Sequence, residues 1–498
     1  MPPEVTGDPE ARTDAVLRGP EVRSFRDPGG IVTIRGDHVF RFLRPCALPD
    51  LAALESSSKV REFLKSGALV PATALSADQA GRLAREELGE ADGGKFVSVL
   101  QHERIPFASY PYEWPPEMLH RAASLTLTLA SELLHDGIGL KDATPYNILF
   151  RGTEPVFVDW LSLERRSLGD PIWRAWAQFA AMFLVPLALN RHLGVPLDGL
   201  LTCRSGGVAP EEAYPMLGPL KGLRPPFLTL VSIPRWLGSG KLAREAPARL
   251  APAVSAEKAR FILSTFYRRA ARTLARLAPR ADRRSAWAAY EEESCSYSGE
   301  AFAAKEAFVR RALDEFAPKW VLDVGSNTGR FSLMAAAAGA RVVALDRDSV
   351  VVGRLYAEAV ARGADVLPLV VDLARPTPAT GWRNRECPSF LDRARGSFDL
   401  VLLLAVVHHL LVTDRVPLEE VVGLCAELSR RAVVVEYVPP SDPMFGLIAR
   451  GREALHAGLT EAAFEAAWAR RFVLLRRESL PGSGRILCLF SRREAAQA

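Results

Sequence analysis

The stretch Val321–Gly339, VLDVGSNTGRFSLMAAAAG, constrains this chain most. An apolar run ends in Asp323, glycines follow at 325 and 329, and an alanine-rich helical segment comes next. That order reads as strand, tight loop, helix. Glycine is needed where the backbone turns sharply and passes close to a bound molecule. A strand that feeds a helix this abruptly belongs in an open parallel sheet covered on both faces.

The flanking sequence repeats the alternation. Short apolar runs rich in β-branched residues are expected as strands at Trp320–Val324, Arg341–Leu345, Val366–Val371, Asp399–Leu404 and Ala432–Tyr437. Helices fit between most of them, including Leu418–Ser429 with Leu418, Val421, Val422, Cys425 and Leu428 on one face. The end, RFVLLRRESLPGSGRILCLFSR, reads as two strands around a Gly-Ser-Gly turn. The expected fold is α/β, a Rossmann-like doubly wound sheet over residues 285–498.

In such sheets ligands sit at the carboxyl edge, where three carboxylates close the first three strands. They are Asp323, Asp346 about twenty residues beyond the loop, and Asp372 in VVDL. The loop pattern is D-x-G-x-x-x-G, not the G-x-G-x-x-G that presents a helix N-terminus to a pyrophosphate. That difference favours a methionine-bearing nucleoside over a dinucleotide.

As an ordered set these elements resemble the class I S-adenosylmethionine-dependent methyltransferases. The resemblance implies seven strands with the last antiparallel, and S-adenosyl-L-methionine as cofactor. It implies that Asp323, Gly325, Ser326, Asn327 and Gly329 border the methionine end, that Asp346 holds the ribose, and that Asp372 with Leu373 borders the adenine. Asn327 departs from the pattern, since many members have glycine there; asparagine tolerates unusual backbone angles.

His408 and His409 follow the fourth strand and are expected near the transferring methyl, His409 first as general base and His408 second. The plain alternative is that both close the site by hydrogen bonds to backbone. Glu436 and Tyr437 end the fifth strand and are expected in the same cleft, against the acceptor or as strand-end packing. Trp382, Asn384 and Glu386, in the insertion Gly381–Arg395, are expected to wall an acceptor pocket, and Tyr297 and Lys305 to form a lid or plain amphipathic surface.

A second signal is LKDATPYNILFRGTEPVFVDW, Leu140–Trp160. Asp142 and Asn147 lie five apart and Asp159 follows on a short β pair. Kinase catalytic loops use that layout for a proton-accepting Asp and for an Asn and Asp that hold magnesium. The region 25–277 therefore resembles the kinase-like α+β fold, closest to aminoglycoside-phosphotransferase-type proteins, where the last Asp is commonly followed by Trp, as at Asp159-Trp160. Leu140 and Lys141 depart from the usual residues, Gly29-Gly30 poorly replaces a glycine-rich loop, and only Arg41 and Lys59 offer themselves for the phosphates. A degenerate module is expected, with Mg-ATP binding as the lesser alternative. Residues 1–24 are expected as a disordered tail and 278–284 as a linker. A kinase-like front on a methyltransferase back also resembles a set of bacterial nodulation-related methyltransferases.

Composition excludes several classes. The 498 residues carry 63 basic and 58 acidic side chains, a net charge of +5, with no long block of one sign. A nucleic-acid partner is not expected, and the N/D-P-P-Y/W motif of base-methylating enzymes is missing after strand four. Six cysteines without C-x-x-C spacing give no metal or redox motif and fit a reducing cytoplasm. The longest apolar run, Phe179–Leu189, is too short to span a bilayer and reads as a buried helix. The expected function is methyl transfer to a small-molecule or glycoconjugate acceptor. The alternatives are a bifunctional kinase and methyltransferase, and a non-catalytic binding scaffold.

Overall fold

The structure, a computed structural model, describes residues 23–24, 26–238, 254–280, 283, 285 and 299–493. It divides into two compact units. The smaller takes Met1–Ala47, Ala72–Arg104 and Pro378–Arg393, and the larger takes Leu48–Pro71, Ile105–Thr377 and Ala394–Ala498. Residues 1–22 of the expected tail lie outside the described residues. Arg23 and Ser24 do not belong to such a tail, because they pair with Thr33 and Val32 as a short strand.

The smaller unit is an antiparallel sheet of β1 (Arg23–Ser24), β2 (Gly30–Arg35), β3 (His38–Leu43), β4 (Ala72–Ala74) and β5 (Ser98–Glu103), in the order β1-β2-β3-β5-β4. A tight turn joins β2 to β3: Arg35 pairs with His38 and Gly36 takes a φ of 57°. Helix α1 (Ala77–Leu88) starts from a capping box of Ser76 and Gln79 and packs Ala80 and Ala84 on Phe40, Phe42 and Val99. Segment 378–393 belongs to this unit, where Glu386 pairs with Arg26.

In the larger unit, β6 (Ile138–Leu140) pairs with β9 (Leu163–Arg165), and β7 (Ile148–Arg151) pairs with β8 (Glu154–Phe157) as a hairpin. Helix α2 (Pro116–Glu132) packs on β6 and β8, and α3 (Ala256–Arg276) packs on α2. The apolar run from Phe179 to Leu189 lies in buried helix, as expected.

The same unit holds the seven-stranded sheet: β10 (Trp320–Val324), β11 (Arg341–Asp346), β12 (Val366–Val370), β13 (Phe398–Leu403), β14 (Ser429–Tyr437), β15 (Phe472–Ser479) and β16 (Ile486–Arg492). Its order is β12-β11-β10-β13-β14-β16-β15. The first five strands run parallel, and β16 runs antiparallel to both of its neighbours. This is the Rossmann-like sheet expected, including its single reversed strand. Helices α4 (Gly299–Phe316), α5 (Arg330–Ala337) and α6 (Ser349–Arg362) close a core in which Phe308, Val321, Leu355, Leu402 and Val434 are buried. Parallel central strands are apolar on both faces because helices cover both.

Helices α2 and α6 meet directly. Gly353 leaves room for Glu117: a Cβ there would lie 2.4 Å from Glu117 Oε2. Burial raises the pKa of Glu117, and Arg283 Nη1 at 3.2 Å opposes that shift while Nη2 binds Ser349. Arg283, in the expected linker, thus takes part in packing. Nearby, Tyr356 on α6 donates to the carbonyl of Thr153 at 2.9 Å. Tyr356→Phe strands that buried carbonyl and is expected to lower stability by about 1–2 kcal/mol in urea unfolding. An unchanged midpoint would mean that water replaces the hydroxyl.

Candidate cofactor and active site

The carboxyl ends of β10, β11 and β13 and the loop after β12 surround a cavity of about 270 Å³ in the larger unit. The loop after β10 turns through Gly325 at φ 68° and Gly329 at φ 86°. A Cβ on Gly325 would come within 2.4 Å of Val406, and one on Gly329 within 2.0 Å of Leu355. Glycine is therefore required at both positions by backbone angle and by space. Asn327 holds φ 48°, within the range asparagine tolerates.

All the expected loop residues but Gly329 line the cavity, as do Asp346, Asp372, Leu373, His408 and His409. Asp323 is buried and accepts from Ser332 Oγ at 2.6 Å. Burial pushes its pKa up to about 6, against the opposing effects of Ser332 and Lys305. Asp346 accepts from the Asn327 amide at 3.1 Å on Oδ2 and the Asp348 amide at 2.9 Å on Oδ1. A carboxylate has about four acceptor positions, so room remains for two hydroxyls. Asp372 accepts from the Ala374 amide at 3.0 Å and pairs with Arg375, which also reaches Asp414.

Three cavity-lining residues carry buried polar atoms without a hydrogen-bond partner among the described residues: Ser326 Oγ, Asn327 Oδ1 and His408 Nδ1. All three belong to residues that line one cavity, where a polar ligand can pair with them. Phe302, Phe331 and Leu345 supply apolar wall.

The two histidines stack with ring centroids 4.2 Å apart. Burial disfavours their imidazolium forms and pulls His408 down to about 3 and His409 down to about 4. Both rings are neutral at pH 7, so each can accept a proton, but weakly. Their NMR ring-carbon shifts are expected to stay flat from pH 8 to pH 5. An inflection near 6.5 would put the ring concerned in water.

Glu436 corrects the expectation that it faces the acceptor. It is fully buried and does not line the cavity, because two cations enclose it: Lys305 Nζ at 2.7 Å from Oε2 and Arg485 Nη1 at 3.4 Å from Oε1. Arg485 also binds Asp442 at 2.7 Å. Tyr437 is likewise turned away, its hydroxyl donating to the Leu459 carbonyl. Lys305 is no lid: it is only 4% exposed and lines the cavity beside Arg485. Trp382, Asn384 and Glu386 do not line the cavity and lie in the segment that joins the smaller unit. Tyr297 lies outside the described residues.

Sequence reading missed Arg485 and Asp442. A charged residue inside the apolar strand VVVEY demands a counter-charge, and Arg485 just before ILCLF was a candidate for it. Lys305→Met, which leaves Glu436 short of a cation, is expected to cost about 3–5 kcal/mol in denaturant unfolding. Adding Glu436→Leu is expected to recover part of that loss. Additive losses would mean that the two side chains do not interact.

Of the second residue group, Asn147 Nδ2 donates to Ser162 Oγ at 2.8 Å, and Ser162 donates to Asp159 Oδ2 at 2.5 Å. The hairpin β7–β8 brings Asn147 and Asp159 to one place, joined through a serine. Lys59 pairs with Glu62 and Glu132. No cluster of three metal-ligating side chains occurs among the described residues. No described helix is long and apolar enough to cross a membrane, and the five described cysteines form no disulfide.

No protein-family profile matches the chain. Nodulation protein NoeA of Rhizobium meliloti (strain 1021) is 29% identical over 478 residues, which span 95% of this chain and 96% of that protein. Among solved structures, the N-methyltransferase NodS of Bradyrhizobium japonicum WM9 aligns with 40% of this chain and 99% of its own, at 14% identity and a TM-score of 0.30. Magnesium protoporphyrin IX methyltransferase (ChlM) of Synechocystis PCC 6803, with bound SAM, aligns with 39% of this chain and 82% of its own, at 19% identity and a TM-score of 0.27. The bifunctional kinase-methyltransferase WbdD aligns with 39% of this chain and 38% of its own, at 19% identity and a TM-score of 0.26.

Proposed function

We propose that the chain is an S-adenosylmethionine-dependent methyltransferase acting on a small-molecule or glycoconjugate acceptor. One observation carries the reading. A glycine loop, Asp346 and Asp372 meet at one carboxyl-edge cavity that holds three unpartnered polar atoms. The spare acceptor positions of Asp346 suit a ribose, and the segment Val371–Leu373 suits an adenine edge. Ser326, Asn327 and Asp323 suit the methionine end. Bound there, the cofactor would supply an electrophilic methyl carbon on a sulfonium.

The chain's own residues orient and shield. Phe302, Phe331 and Leu404 exclude water, while the buried ion pairs hold the helix α4 wall against β14. The neutral rings of His408 and His409 can accept a hydrogen bond from an acceptor hydroxyl or amine. With pKa values this low, His409 serves better to orient the acceptor than to remove its proton near pH 7.

The kinase-like resemblance of the front half supports binding, not phosphotransfer. The Asn and Asp that would hold magnesium are joined through Ser162, and Lys59 is committed to two glutamates. The printed name of NoeA ties that protein to nodulation. Similarity along nearly the whole length of both chains supports reading the two halves as one functional protein.

Calorimetric titration with S-adenosylhomocysteine tests the assignment. Wild-type protein is expected to bind, and Asp346→Ala to weaken binding by about 2–3 kcal/mol with the fold intact by circular dichroism. Folded wild-type protein that binds no S-adenosylhomocysteine would remove the methyltransferase reading.

A further inference from the structure

A second, larger concavity of about 1530 Å³ opens beside the cofactor cavity. It lies between the segment from His409 to Glu419 and the segment from Leu447 to Ala463. Arg347 and His409 line both spaces, so the groove meets the cavity where the reaction is proposed to take place. Its lining has two kinds of chemistry. One is aliphatic: Leu411, Val412, Leu447, Ile448, Leu455 and Leu459. Of these, Leu447 is 67% and Leu455 78% exposed, large apolar side chains left to water at the groove.

The other is cationic. Arg347, Arg415, Arg450 and Arg452 line the groove, against one acidic lining residue, Glu419. Arg347 has its own contacts. Arg415, Arg450 and Arg452 make no ion pair among the described residues, so their charges are open to an anionic ligand. Arg415 and Arg450 also sit at φ 57° and 49°, a left-handed conformation that costs a β-carbon-bearing residue energy. Arg450 takes that angle as the C-cap of the helix Pro443–Ala449, which places it at the groove.

We propose that this groove is the acceptor site, and that the acceptor is an amphiphile joining an aliphatic portion to an anionic group such as a carboxylate, phosphate or sulfate. The aliphatic portion lies along the leucines, the arginines take the anion, and His409 marks the end from which the nucleophile reaches the cofactor cavity. This rests on the methyltransferase reading for the reaction, but the binding chemistry is independent of it.

The probe is dansylamino-undecanoic acid, an anionic aliphatic fluorophore, with full-length protein in the presence and absence of S-adenosylhomocysteine. Saturable binding is expected, displaced by dodecyl phosphate at least about tenfold more effectively than by dodecanol or dodecyltrimethylammonium, all below their micelle concentrations. The double variant Arg415→Asn/Arg450→Asn keeps a residue that tolerates the left-handed angle and removes both charges. It is expected to lose about tenfold or more in probe affinity while binding S-adenosylhomocysteine as wild type does. No saturable binding, equal displacement by all three competitors, or an unchanged double variant would overturn the proposal. Loss of S-adenosylhomocysteine binding by wild type would instead strike the methyltransferase reading, with probe binding measured separately.

Discussion

The buried chain of charges Lys305–Glu436–Arg485–Asp442 is what the seven-stranded half depends on. Its members come from helix α4, from the end of β14, from the turn before β16 and from the loop after β14. Each charge would be prohibitive to bury alone. Together two cations and two anions cancel, so four separate pieces of chain must arrive for any of them to be tolerated. The requirement fixes register: shifting β16 by one residue against β14 would carry Arg485 away from Glu436 and leave that carboxylate buried with one cation fewer. Because Lys305 and Arg485 also line the cavity, the same ions that lock the fold set the field felt by a ligand.

Burial first, and that field second, explain the two histidines. A ring near neutral pKa at this place would have been a credible base. Burial, with Arg485 near both rings and Arg347 near His409, holds both uncharged far below neutral pH. The cavity therefore carries both signs of charge, with Lys305 and Arg485 among its cations and Asp346 and Asp372 among its anions, and its two imidazoles are neutral.

The seven strands were legible because each is a short apolar run between helices with clear faces. Trp320–Val324 falls where its pattern puts it, and the rest within a few residues. The glycine loop and the carboxylates at strand ends were legible for the same reason: a sheet edge is a fixed address in sequence. What was not legible depends on tertiary distance. Nothing local says that Glu436 faces Lys305, 131 positions earlier, or that Arg485 closes the group. The insertion after β12 was misplaced because a polar loop beside a site reads as its wall, whereas Thr380 bridges to Cys387 and Glu386 turns to Arg26. The groove escaped notice because its arginines are scattered singly through loops and form no run.

The smaller unit is assembled from three stretches of chain, the last of which, Pro378–Arg393, is an excursion between two strands of the seven-stranded sheet. A ribosome emitting this protein has made the first sheet long before it makes the piece that completes that unit. The larger unit is equally interrupted, since Leu48–Pro71 leaves and returns within the first hundred residues. No single cleavage of the polypeptide can release either unit whole. Moving the smaller unit onto another protein would require five coordinated breaks, not one, which ties the two units together in folding order.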